Sequence, residues 1–291
     1  MSSARGGRPF AKYEGLGNDF IVLDAEVWPE QDVGPALARA LCDRHRAVGG
    51  DGVLWVRETG PGAARLVIFN ADGTRPEMCG NGVRCVAAWL ADRGRLSVGQ
   101  TLALETDAGP RPVRIAEGAD GAWRASVDMG ALTVDPAPIA TVASAAGPVE
   151  VFFADAGNPH AVLFTPVVDR AEAEGIAARV RALEARYPHG TNVEFVVETG
   201  AQGVVVRVHE RGVGWTLACG TGACAVAAVR AARSSATRAV TEVTLDGGTL
   251  SIAVEREPDG RYRAVMTGPA RRAFEGGVRV IESTPEGLRL G

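Results

Sequence analysis

Two cysteines head the same short element at two places. Cys79-Gly80-Asn81-Gly82 and Cys219-Gly220-Thr221-Gly222 stand 140 residues apart, 79 to 219, in a chain of 291. Each opens an Ala-rich apolar run that reads as a helix. The reactive form of cysteine is the thiolate, and a free thiol with a pKa near 8.5 is ionised only in small part at neutral pH. A helix start favours the anion, so the sequence predicts a lowered thiol at both positions. The glycines that follow leave first-turn backbone N–H groups open, and these can hold a carboxylate. If both elements face one substrate carboxylate, its α-carbon lies between two sulfurs. One thiolate removes the α-proton and the opposite thiol delivers a proton to the other face. The outcome is inversion at carbon, and both helix starts stabilise the carbanion's charge. Taken singly, a Cys-Gly-x-Gly element also suits close packing ahead of a helix. A duplicated element could keep both cysteines for that reason alone.

The elements that position these groups repeat as well. At a shift of 140, Gly17-Asn18 falls on Gly157-Asn158, Gly50 on Gly190, Val53 on Val193 and Val56 on Val196. Eight of the fifteen residues from 79 to 93 recur at 219 to 233. The register runs without a gap from about residue 17 to 93, which marks an internal duplication of whole domains rather than a solenoid. Strands are expected at Phe20–Leu23, Val53–Arg57 and Arg65–Phe69, matched by Ala161–Phe164, Val193–Val197 and Val204–Val208. Helical stretches are expected around 34–45 and 170–186, then at the two Cys-Gly elements. Val83, Val86, Ala87 and Leu90 mark one face of the first Cys-Gly helix, whereas the second is apolar almost all round, as for a helix enclosed by sheet. Short strands follow at 101–105, 112–116 and 123–129, echoed at 240–244, 249–255 and 262–267. The fold class is α/β (α+β): two pseudo-twofold-related domains at 9–132 and 149–275. The Ala- and Pro-rich stretch 133–148 is the linker, and the final segment can return to the first domain.

Composition removes several classes of function. Hydrophobic content of 46% and charged content of 23% are those of a globular chain. A net charge of -4 gives no reason to expect nucleic acid. Lys12 is the only lysine, so a pyridoxal-phosphate Schiff base would rest on that residue alone. No cofactor and no metal site is assigned. The start of the sequence has no apolar secretion core, and no run approaches the roughly 20 apolar residues of a membrane span. Five cysteines without a secretion signal are expected to be reduced, and the location cytoplasmic. Cys42 suits a small packing residue, as do Cys85 and Cys224. Residues 1–8 read as a disordered extension.

Several further blocks carry a resemblance. Lys12-Tyr13-Glu14-Gly15-Leu16-Gly17-Asn18-Asp19-Phe20, Phe69-Asn70-Ala71-Asp72-Gly73, Met78–Cys85, Gly157-Asn158-Pro159-His160, and Glu210-Arg211-Gly212 with Ala218–Ala223 together resemble the diaminopimelate epimerase family. They occur in that family's order and span most of the chain. The resemblance implies a cofactor-independent enzyme that interconverts LL- and meso-2,6-diaminopimelate in lysine and peptidoglycan synthesis. It also implies, for each domain, a mixed, mostly antiparallel sheet round a central helix, and a homodimer. Cys79 and Cys219 are then the acid–base pair, with Cys219 the acceptor and Cys79 the donor from LL to meso. Gly80-Asn81 and Gly220-Thr221 hold the reacting carboxylate. Asn18, Asn70, Asn158, Asn192 and Arg211 read the other charged groups, and His160 and Glu210 adjust the thiols; Glu210 also belongs to the substrate set.

The chemistry of these residue types agrees. Arginine grips a carboxylate bidentately, and asparagine both donates and accepts. Each also has a purely structural use. Asn18, Asn70, Asn158 and Asn192 suit turns, His160 a core position, and Glu210-Arg211 a surface ion pair. Two positions depart from the family. Gly52 stands where some members carry Gln, and Trp215 where many carry Glu, with consequences expected for a substrate contact and for the cleft wall. Rival readings are another two-cysteine racemase, of the proline or hydroxyproline type, and a noncatalytic amino-acid-binding protein.

Overall fold

In a computed structural model, the chain forms two units, each with its own set of strands and its own buried helix, and residues 7–165, 169–284 and 287–290 are described. Residues 1–6 of the expected extension lie outside them. One unit takes the chain up to Val127 together with Gly268 onwards, and the other takes Asp128–Thr267.

The first unit runs β1 (Arg8–Gly15), β2 (Asn18–Asp24), α1 (Pro35–Cys42), β3 (Gly52–Gly60), β4 (Ala63–Asn70), α2 (Gly80–Asp92), β5 (Thr101–Thr106), β6 (Gly109–Glu117) and the start of β7 (Trp123–Val134). The second unit adds β8 (Ala140–Ser144) before β9 (Gly147–Asp155), β10 (Pro159–Phe164), α3 (Arg170–Arg181), β11 (Asn192–Glu198), β12 (Gly203–Glu210), β13 (Gly214–Thr216), α4 (Gly220–Arg233), β14 (Arg238–Leu245), β15 (Gly248–Arg256) and most of β16 (Tyr262–Val278). A hairpin of β17 (Val280–Thr284) and β18 (Gly287–Leu290) follows.

The central strands are covered on both faces, and their sequences say why. Phe20–Leu23 and Ala161–Leu163 are unbroken apolar runs with every side chain buried, unlike the alternation of a half-exposed strand. One face of the first sheet packs on α1 through Ile21, Leu23, Val53, Trp55, Leu37 and Leu41. The other face lies against α2, which is buried from Gly80 to Ala91. The one-sided helix expected there is thus corrected. Arg84 breaks the apolar pattern, yet it is buried too, with Nε donating to Pro269 O at 3.2 Å. In the second unit Ile176, Ala177 and Val180 of α3 cover Leu163, Val193 and Phe195, and the alanines of α4 pack inside.

Strand pairing shows how deep the duplication goes. Phe20 pairs Gly52 across the parallel β2–β3 ladder, and His160 pairs Asn192 across β10–β11. Val53 pairs Phe69, and Val193 pairs His209. These registers differ by 140 throughout. After the Cys-Gly helices the offset is 139: Leu102 pairs Val113, and Thr241 pairs Ile252. The two copies are one architecture with a single residue lost after the helix.

Three expectations change. The linker at 133–148 contains the end of β7 and all of β8, which pairs with β9, because Val142 and Val149 are buried against α3's core. The unit boundaries fall inside β7 and β16 rather than at 132 and 149, so no shift in composition marks them. The helices near 34–45 and 170–186 are shorter. Asp43 accepts from the backbone of His45 and Arg46, an Asx turn that ends α1, and a hydrogen-bonded turn at Leu183–Tyr187 follows α3.

Candidate active site

Each unit places a cysteine at the cap of its buried helix with almost the same backbone: Cys79 at φ -144°, ψ 110° and Cys219 at φ -129°, ψ 108°. Around these caps the neighbours of the two cysteines diverge.

In the first unit Cys79 is half-buried, with Sγ 4.0 Å from Asn18 Oδ1. Asn81 Nδ2 donates to the same oxygen at 3.1 Å. Asn18 Nδ2 in turn donates to Asp51 Oδ2 at 2.7 Å, which fixes the amide with its oxygen toward the cysteine. Asp51 is held by Arg44, which also grips Asp19. Asp19 takes buried Lys12 as well, at 2.8 Å. Burial pushes the Asp19 carboxyl up, but the Arg44 and Lys12 cations outweigh it and bring the group down to about 2. Gly80 and Asn81 form the first turn of α2, and Asn81 Oδ1 is buried without a hydrogen-bond partner among the described residues. Asn70 stands apart from this set, for its Nδ2 donates to Thr74 Oγ1 at 2.8 Å within a local turn.

Cys219 has two acids near it, Glu210 and Glu194. His160 is fully buried, with Nδ1 2.6 Å from Glu194 Oε1 and Nε2 3.1 Å from Asn158 Oδ1. Asn192 Oδ1 accepts the backbone N–H of Arg211 at 2.9 Å. Arg211 is exposed and donates from Nη1 to His189 O at 2.8 Å. Glu210 accepts from Thr216 Oγ1 at 2.6 Å, yet burial, reinforced by the Glu194 charge, pushes its carboxyl up. Cys219 receives Gly222 N at 3.4 Å and lies 3.5 Å from Thr221 Oγ1. Gly220 and Thr221 are the half-buried first residues of α4.

The lowered thiol expected at Cys219 is reversed. Burial raises it well above the ordinary range, and the Glu210 and Glu194 carboxylates add to the rise. The Thr221 and Gly222 hydrogen bonds lower it by less. Among the described residues, none of the five cysteines is in a disulfide.

Three contributors are absent from the sequence reading. Glu194 is the main one, and its signal is a lone acid inside the apolar strand Val193–Val197. Asp51, beside Gly52, and Thr216, beside Trp215, are the others. The two departures also resolve. A Cβ at Gly52 would sit 2.6 Å from Phe69 O, so the β3–β4 ladder leaves no room for a side chain there. Trp215 faces away from Thr216 on β13. Its ring meets His209 edge-on at 5.1 Å, and Nε1 donates to Glu174 on α3 at 2.8 Å. It is part of the α3-side core rather than of the Cys219 surroundings.

The diaminopimelate epimerase family model matches residues 10–134 and 152–273, and β8 falls in the interval between the two matches. The chain is 38% identical over 286 residues to a diaminopimelate epimerase of Microcystis aeruginosa, covering 92% of this chain and 98% of that protein. Among solved structures, a phenazine biosynthesis protein of the PhzF family from Bacillus anthracis gives a TM-score of 0.73 at 16% identity, over 94% of this chain and 100% of that one. A probable proline racemase from Agrobacterium radiobacter gives 0.68, also at 16%, over 95% and 94%. At such identities the likeness is one of fold.

Proposed function

The chain belongs to the diaminopimelate epimerase family, and we propose that it interconverts LL- and meso-2,6-diaminopimelate by proton transfer between Cys79 and Cys219. The observation that carries this reading is the matched cap position of the two cysteines on equivalent helices. From LL to meso, the Cys219 thiolate takes the α-proton and the Cys79 thiol returns one to the opposite face; the reverse reaction exchanges the roles. First-turn N–H groups at Gly80-Asn81 and Gly220-Thr221 hold the α-carboxylate as the carbanion delocalises onto it.

The raised thiol of Cys219 fits a substrate-triggered step. Negative charge from Glu210 and Glu194 keeps the proton on sulfur until an α-ammonium arrives and offsets that charge. Two buried acceptors without partners among the described residues, Asn81 Oδ1 and Glu194 Oε2, make the surroundings of both caps attractive to a cation. Asn18, Asn70, Asn158, Asn192 and Arg211 read the remaining ammonium and carboxylate groups, and His160 and Glu210 set the field round the sulfur. The enzyme acts on a small molecule in the cytoplasm, as a homodimer, without cofactor or metal.

Incubation of the reduced protein with diaminopimelate in D2O tests this. Deuterium should enter at one α-carbon without pyridoxal phosphate. Cys79→Ala and Cys219→Ala should each lower epimerisation by at least ~10³-fold, within the range for removing an acid–base group. Turnover of proline with none of diaminopimelate, or full activity in either variant, would overturn the reading.

A further inference from the structure

Asn18 and Asn158 are equivalent by the 140-residue shift, yet their amides are oriented by opposite devices. In the first unit the Asp51 carboxylate takes Asn18 Nδ2 at 2.7 Å, so the oxygen is the atom left for the cysteine side. Among the described residues, no carboxylate meets Asn158 directly in the second unit. Glu194 instead takes His160 Nδ1 at 2.6 Å, and His160 Nε2 lies 3.1 Å from Asn158 Oδ1. Both atoms facing the ring are oxygens, and a ring satisfies two acceptors only by donating from both nitrogens. Glu194 and His160 are each fully buried. A carboxylate so placed requires a donating partner, and the His160 ring is the one at hand.

We infer that Glu194 is a positioning residue. Acting through His160, it locks the Asn158 amide with its oxygen inward, so that the NH2 group is left to donate to a substrate carboxylate. The two equivalent asparagines therefore present opposite ends, an acceptor at Asn18 and a donor at Asn158. This pairing suits a substrate that carries both ammonium and carboxylate groups. Gly222 protects the arrangement: a Cβ there would lie 2.8 Å from Glu194 Oε1 and 3.2 Å from Cys219 Sγ. The inference rests on the epimerase reading.

Glu194→Gln keeps the shape and removes the charge. His160 then holds one proton, on Nδ1, and its bare Nε2 turns the Asn158 amide round. The KM for diaminopimelate should rise about ten- to a hundredfold, the range for losing a hydrogen bond to a charged group, with a smaller change in kcat. Nitrogen-15 spectra at one pH should show both His160 nitrogens protonated in the wild type and one in Glu194→Gln. In an Asn158→Ala background, Glu194→Gln should add no further rise in KM, and Glu194→Asp should recover part of the loss. Unchanged KM, a single protonated nitrogen in the wild type, or additive effects with Asn158→Ala would overturn the inference. Wild-type deuterium exchange is measured alongside, and its absence would sink the epimerase reading itself.

Discussion

At the scale of the residue, the two thiols have equivalent backbones and unequal surroundings. Cys79 is half-buried beside two amides, whereas Cys219 is buried beside two acids. The helix start is the only one of these influences that a motif reveals, and at Cys219 it loses to burial and to like charge. Alkylation makes the consequence measurable, because only the thiolate reacts and its fraction rises with pH until the thiol pKa is passed. With that pKa raised, Cys219 should lag an ordinary exposed thiol by more than ~10-fold at pH 8, because a thiol still protonated at that pH loses thiolate in proportion as its pKa climbs. Glu210→Gln removes one of the two charges, so labelling of Cys219 should speed up at fixed pH while epimerisation falls. Mass spectrometry of the labelled Cys219 peptide distinguishes it from the other cysteines. Equal rates for Cys219 and an exposed thiol, or no acceleration in Glu210→Gln, would contradict the field assigned to the acids.

At the scale of the element, one row across the sheet has been edited in one copy and not in the other. Phe20 and Gly52 pair in the first unit where His160 and Asn192 pair in the second. At this row the polar side chains stand in the second copy, and the first keeps an apolar, glycine-bearing pair. Gly52→Gln should not gain a substrate contact. Its Cβ would press on Phe69 O at 2.6 Å, and the backbone of β4 must move to admit it. A loss of about 1–3 kcal/mol in denaturant unfolding is expected, the usual cost of overpacking, without a lower KM. The sequence makes much of this scale legible, since runs such as Phe20–Leu23 need burial on both faces and the Cys-Gly helices declare their own starts. It hides β1, because Lys12 interrupts an apolar run and its charge is met by Asp19 on the next strand and by the Gly49 carbonyl. It hides β8 behind an Ala- and Pro-rich composition that resembles a linker. Glu194 looks like a surface residue of a strand until tertiary packing encloses it with His160.

At the scale of the whole molecule, the first unit is assembled from both ends of the chain. Residues 271–278 of β16 pair with β1, where Val278 lies opposite Arg8 and Arg271 opposite Glu14. This returning strand supplies Pro269 O to buried Arg84, sets Phe274 edge-on against Phe10 at 6.0 Å and places Val278 in the core under α1. Without it, β1 loses one of its two partners and Arg84 loses an acceptor. Those losses amount to several kcal/mol, against a total stability of about 5–15 kcal/mol for a domain. The second unit is one continuous stretch and carries α4 and α3 with their own core. Residues 128–267 alone should therefore unfold cooperatively on heating, whereas 7–127 alone should not. Joining 268–278 by a short turn to residue 8, as the pairing of Val278 with Arg8 permits, should restore a cooperative transition to 7–127. Circular dichroism melts of the three chains check this, and a cooperative melt of 7–127 on its own would show that the returning strand is dispensable.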